Sequence, residues 1–97
     1  MDWRIFSNEH RKNIVVYLLK NKELTPSALT DKLGIEGPTV SAHLKDLENA
    51  GLVSYRRVKN YKFYSINRKG LEKFHADYMK TIGDGLAAIR QTEPVQP

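Results

Sequence analysis

The sequence predicts an α+β domain: three helices, one two-stranded hairpin, then a long closing helix. Three observations carry that expectation. Apolar residues recur at helical spacing in three segments before Gly51. Beyond Gly51 the pattern changes to segments rich in β-branched and aromatic residues, as strands are. From Leu71 to Ile89 helical spacing returns.

The elements follow in order. Residues 1–6 are a lead-in carrying Trp3, Ile5 and Phe6. Ser7 or Asn8 can cap a helix, and Glu9 suits the dipole of its first turn. This helix reaches about Asn21, with Ile14, Tyr17 and Leu18, and Val15 beside them, as its buried stripe. Leu24 stands alone as a very short strand. Thr25-Pro26 starts a brief second helix, 26–33, with Leu29 and Leu33 inward. Gly34 suits the left-handed turn that ends it. A third helix is expected over 38–50, with Gly37 at its cap and Gly51 at its end. Its Val40, Leu44 and Leu47 share one face, with Leu52 and Val53 just beyond. L-V-S-Y-R-R-V and Y-K-F-Y-S-I form the hairpin over 52–66, with Lys59-Asn60 at the tip, where Asn tolerates positive φ. Asn67 or Ser65 caps the last helix, from about Arg68 to Arg90, and Gly83 and Gly85 weaken its continuity. Residues 1–91 thus make one domain, and 92–97 a flexible tail.

Ninety-seven residues suit one domain with a modest core. No run approaches the ~18 apolar residues of a membrane span. The start M-D-W-R-I-F-S-N lacks the basic and apolar blocks of a signal peptide, so a cytoplasmic protein without a membrane partner is expected. Cysteine is absent, which excludes disulfides, thiolate metal sites and a Cys nucleophile.

The net charge of +5 is unevenly placed. Residues 1–50 carry seven basic and seven acidic side chains, and residues 70–97 carry three and four. Residues 51–69 carry six basic side chains (Arg56, Arg57, Lys59, Lys62, Arg68, Lys69) and no acid. A local basic patch attracts polyanions and makes their binding salt-dependent. It lies directly after two short helices joined by a glycine-containing turn, the helix-turn-helix arrangement. The hairpin is then a "wing". The other faces of helix 38–50 bear Thr39, Ser41, Ala42, His43, Lys45 and Asp46. Together these features point to the major groove of double-stranded DNA for the helix, and to phosphates for Arg56, Arg57, Lys59, Asn60 and Lys62. Tyr61, nearest the tip, is the one wing aromatic considered for a nucleic-acid contact. Tyr61, Phe63 and Tyr64 are nonetheless all expected to pack beneath the wing rather than stack on bases.

These residues resemble the ArsR-type winged helix regulators. S-N-E-H-R-K-N-I-V-V-Y-L-L is similar to their first helix, and T-P-S-A-L-T-D-K-L-G-I-E-G-P-T-V-S-A-H-L-K-D-L-E-N-A-G-L-V to their helix-turn-helix, especially from V-S-A-H-L-K onward. R-R-V-K-N-Y-K-F-Y-S-I looks like their wing. The resemblance covers about residues 7–70 and implies a homodimeric transcriptional regulator, a repressor, on a near-palindromic operator. It implies that Thr39, Ser41 and His43 face bases or phosphates and that Lys45 faces a phosphate. Gly37 and Ala42 stand where family members often carry longer polar residues, so direct base reading looks sparse. The thiolate metal signature of the metal-sensing members is missing.

Each feature also has a plainer reading. The helix is then a core helix with a solvated face, the hairpin an edge protected by charge, and His43 a side chain half-packed against Leu47. The fold as a whole then serves protein contact without specific DNA binding. No catalytic constellation stands out, so no enzyme is expected. His10, His43 and His75 lie in different elements with no complete ligand set, so neither metal nor cofactor is expected. The sequence names no small-molecule effector. The last stripe, from Leu71 to Ile89, spans about 27 Å at helical rise, more than a small domain can cover. Trp3, Phe6, Tyr78, Ile82, Leu86 and Ile89 are therefore expected to make a twofold dimer interface, so that the last element is a dimerisation helix.

Overall fold

The computed structural model describes residues 3–91, with side chains described through Ile89. The expected tail, 92–97, lies outside the described residues. A 3-10 turn, Trp3–Phe6, leads into α1 (Glu9–Lys20), α2 (Pro26–Leu33) and α3 (Gly37–Asn49). The hairpin β1 (Val53–Val58) and β2 (Tyr61–Ile66) comes next, and α4 (Arg68–Gln91) closes the chain. This is the α+β, winged helix-turn-helix architecture read from the sequence, with its C-terminal helix in place.

Local chemistry accounts for the boundaries. The Asn8 side chain accepts from the Arg11 amide at 3.1 Å and caps α1. Thr25 Oγ1 accepts from the Ala28 amide at 3.2 Å and caps α2, with Pro26 in its first turn. Gly34, at φ +68, ends α2. Helix α3 begins one residue earlier than expected: Glu36 occupies the cap and Gly37 is already helical. It also ends earlier, at Asn49, with Ala50 as the C-cap. There the Gly51 amide donates to the Glu48 carbonyl at 2.9 Å and the Leu52 amide to the Leu47 carbonyl at 3.0 Å. With Gly51 at φ +77, these bonds form a Schellman closure. At the hairpin tip the positive φ, +54, falls on Lys59 rather than on Asn60.

One core holds the helices to the wing. Ile14, Leu29, Val40, Leu44 and Leu47 are all fully buried, and Leu52, Val53 and Tyr64 nearly so. Each such aliphatic side chain contributes about 1.5–3 kcal/mol on burial. Leu24 is an isolated bridge to Tyr64, with amide-to-carbonyl distances of 3.0 and 2.9 Å, so β2 is paired on both sides at that point. Arg11 joins three elements. Its Nε donates to the Ile5 carbonyl at 2.7 Å, its Nη2 to the Arg4 carbonyl at 3.1 Å, and its Nη1 lies 3.6 Å from Asp46 of α3.

Helix α4 departs from this body. Leu71 and Phe74 pack against the core, and Phe74 meets Trp3 and Phe6 edge-on at 5.5 and 5.0 Å between ring centres. Beyond them the helix continues unbroken through Gly83 and Gly85, so the molecule measures 63 Å along its longest axis against 27 and 21 Å. Its first turn is fastened to the end of α3. The Asn67 amide donates to the Leu52 carbonyl at 2.9 Å, and its side chain accepts from the Gly70 amide at 3.3 Å. A Cβ on Gly70 would run into the carbonyl oxygen of Gly51. Gly70→Ala must therefore displace backbone on one side or the other. It should destabilise the fold by about 1–3 kcal/mol in urea unfolding, the usual cost of forced overpacking. A neutral result would contradict this close approach of α3 and α4.

Candidate nucleic-acid interface

The apolar stripe of α3 fixes which way its other side chains face. Val40, Leu44 and Leu47 are fully buried, and helical geometry then turns Thr39, Ser41, Ala42 and Lys45 outward. All four are exposed. His43 is different. It flanks the buried stripe and is half-buried, with its ring centre 5.9 Å from that of His10 on α1. Its Nδ1 is buried and has no hydrogen-bond partner among the described residues. Four of the five α3 residues expected at the interface thus share the outer surface, and the fifth turns toward α1.

In the wing, Arg57, Lys59 and Asn60 are exposed, and so is Tyr61 at 63 %, against the expectation that it packs beneath the wing, because it stands at the tip beyond the reach of the core. Phe63 is half-buried and Tyr64 buried, as expected of residues beneath the wing. Lys62 lies directly across from Arg57 in the ladder. Like charges in that position repel. The Lys62 ammonium sits 4.7 Å from the centre of the Tyr55 ring, which offsets part of the repulsion. A polyanion would offset the remainder. Arg56 is held by Glu23 and Arg68 by Glu72, at 2.9 and 2.8 Å. Arg57, Lys59, Lys62 and Lys69 have no carboxylate partner among the described residues. The sequence reading missed Glu23, because it lies far from the acid-free stretch and is brought to it only by the Leu24 bridge.

The expected interface residues elsewhere are also placed. Tyr78, Ile82, Leu86 and Ile89 are 46, 44, 53 and 69 % exposed, and Met79, which the sequence reading did not single out, joins them at 53 %. Trp3 stays partly exposed while packing on Phe74 and Tyr78, and Phe6 is half-buried. Among the described residues no three His, Asp or Glu side chains lie together as metal ligands. No described helix is long and apolar enough to cross a membrane.

Burial lowers the pKa of His43 below the ordinary histidine value, and the nearby Arg11 and His10 add to the effect against the opposing pull of Asp46. The sign follows from linkage. The unfolded chain binds a proton near pH 6.5 that the folded chain resists, so the stability contributed by neutral His43 is complete above that pH. It is lost as pH falls toward the lower folded value. His43→Gln should flatten the decline in thermal midpoint between neutral pH and about pH 5. A profile identical to that of the unchanged protein would remove His43 from the acid response.

Comparison with known proteins agrees with this geometry. Residues 8–55 match the family described as "Bacterial regulatory protein, arsR family". The structure of HlyU from Vibrio cholerae is 30 % identical, covering 77 % of this chain and 82 % of that one, with a TM-score of 0.61. The homodimeric winged helix-turn-helix DNA-binding domain of a possible ArsR-family transcriptional regulator from Mycobacterium bovis is 26 % identical. It covers 84 % of this chain and 73 % of that one, with a TM-score of 0.66. A possible transcriptional regulator for arsenical resistance shares the fold over 95 % of both chains, at 23 % identity and a TM-score of 0.77. No curated protein matches the sequence. The chain belongs to the arsR family of bacterial regulatory proteins, and its winged helix-turn-helix is that of a DNA-binding transcriptional regulator.

Proposed function

We propose that the protein is a cytoplasmic homodimeric repressor that reads double-stranded DNA with α3 and holds it with the wing. One observation carries this reading. The buried stripe of α3 leaves Thr39, Ser41, Ala42 and Lys45 exposed immediately before a hairpin that concentrates the chain's positive charge. Thr39 and Ser41 meet base edges in the major groove, with Ala42 against a thymine methyl or the sugar. Lys45, Arg56, Arg57, Lys59, Asn60 and Lys62 contact phosphates, and Tyr61 packs on the backbone or in the minor groove. His43 supports α3 from its α1 side and reaches DNA only at the edge of the interface. With so few long side chains aimed at bases, the shape and deformability of the DNA contribute to site choice. The protein acts by occupying DNA rather than by catalysis.

The exposed stripe Tyr78, Ile82, Leu86 and Ile89, with Trp3 and Phe6 at its base, supports pairing through α4. The Mycobacterium bovis domain is itself homodimeric. A twofold dimer would set two copies of α3 about one turn of DNA apart, matching a near-palindromic operator.

One titration tests the whole reading. Binding to duplex DNA is measured across salt concentrations for the unchanged protein and for a variant with Arg56, Arg57, Lys59 and Lys62 replaced by alanine. The slope of log K against log salt should fall by roughly 0.9 for each phosphate no longer neutralised. Sedimentation of the same samples should show two chains per site. An unchanged slope would remove the wing from binding, and one chain per site would remove the dimer.

A further inference from the structure

The wing contains one arginine that is held differently from its other cations. Arg56 Nε donates to both carboxylate oxygens of Glu23, at 3.1 and 2.9 Å. Its guanidinium lies 4.9 Å from the centre of the Phe63 ring, the residue directly across the ladder. The two side chains are unequally exposed: Arg56 is 61 % exposed and Glu23 24 %. Glu23 sits next to Leu24, whose bridge to Tyr64 fixes its backbone. The carboxylate therefore stands behind the arginine, not in front of it. Because Glu23 engages only Nε, the two terminal nitrogens of Arg56 have no hydrogen-bond partner among the described residues. Those nitrogens form a planar fork that matches two oxygens of one phosphodiester.

We propose that Glu23 is a positioning residue for DNA binding, which orients Arg56 so that its terminal nitrogens meet a backbone phosphate. This rests on the DNA-binding reading above. The guanidinium is held by the Phe63 ring and, at Nε, by Glu23, so less side-chain freedom remains to be lost when the phosphate arrives. A long exposed cation such as Lys59 has no such support. An isolated surface ion pair adds little to folding, so loss of Glu23 should be felt in binding far more than in stability.

The sign of the effect makes the proposal testable. A carboxylate near DNA repels phosphate, so its removal should tighten binding unless it acts through Arg56. Affinity for a mixed-sequence B-form duplex, fixed at one salt concentration, is measured for the unchanged protein, Glu23→Ala, Arg56→Ala and the double variant. Thermal midpoints confirm that each folds. Glu23→Ala should weaken binding about three- to tenfold, the cost of ordering one long side chain. In the Arg56→Ala background the same change should be neutral or should tighten binding, because only repulsion is left to remove. Glu23→Gln, which keeps one acceptor oxygen, should fall between. Tighter binding by Glu23→Ala alone would overturn the proposal and make Glu23 a competitor for Arg56. Equal effects in both backgrounds would also overturn it. Failure of the unchanged protein to bind the duplex would instead defeat the DNA-binding reading, and this proposal with it.

Discussion

The structure depends on the burial of one side of α3. Val40, Leu44 and Leu47 have no solvent exposure, and no other orientation of the helix satisfies all three. The outward face of α3 follows by geometry: with the apolar side turned in, Thr39, Ser41, Ala42 and Lys45 can only face out. Both ends are fixed as well. The turn from Gly34 to Glu36 sets its start, and the Schellman closure at Gly51 sets its end. The polar side is thus held by the core and not by its own contacts, which leaves it available to a partner at little ordering cost.

The same closure organises the wing and α4. The Leu52 amide is used by α3 and the Leu52 carbonyl by Asn67, so the end of α3, the start of the wing and the start of α4 share one short segment of backbone. Gly51 and Gly70 approach too closely for a side chain on the latter. A shift of α4 relative to the body would be transmitted to the end of α3 through this approach. Arg11 makes the complementary tie on the other flank, holding the 3-10 turn and α3 to α1. Helix α3 is accordingly fastened on both flanks, while the distal half of α4 extends away from the body along the long axis of the molecule.

Much of this was legible in the sequence because single residues dictated it. Thr25-Pro26, Gly34 and Gly51 mark helix ends by their own chemistry, and the change of apolar pattern at Gly51 marks the wing. One feature that was not legible depended on residues distant in sequence. Glu23 lies 33 positions from Arg56, so a count of charge along the wing could not include it. His43 is half-buried on the α1 side, nearer to the reading in which it packs beside Leu47 than to the one in which it faces DNA with the outward residues. Its spacing, three after Val40 and one before Leu44, places it on the flank of the buried stripe, and that signal outweighs polarity. At the hairpin tip the positive φ went to Lys59 although Asn60 is the residue that tolerates it more readily. The pairing of Val58 with Tyr61 sets which tip residue must bend, and propensity does not override it.

In the proposed function one surface, formed by the outer side of α3 and the wing, meets DNA. Amide chemical-shift mapping on titration with duplex DNA tests it most directly. Changes are expected at Thr39, Ser41, Ala42 and Lys45 and from Arg56 to Lys62, with Val16 and Leu19 on α1 unaffected. Changes confined to α1 or α4, with α3 and the wing silent, would contradict it.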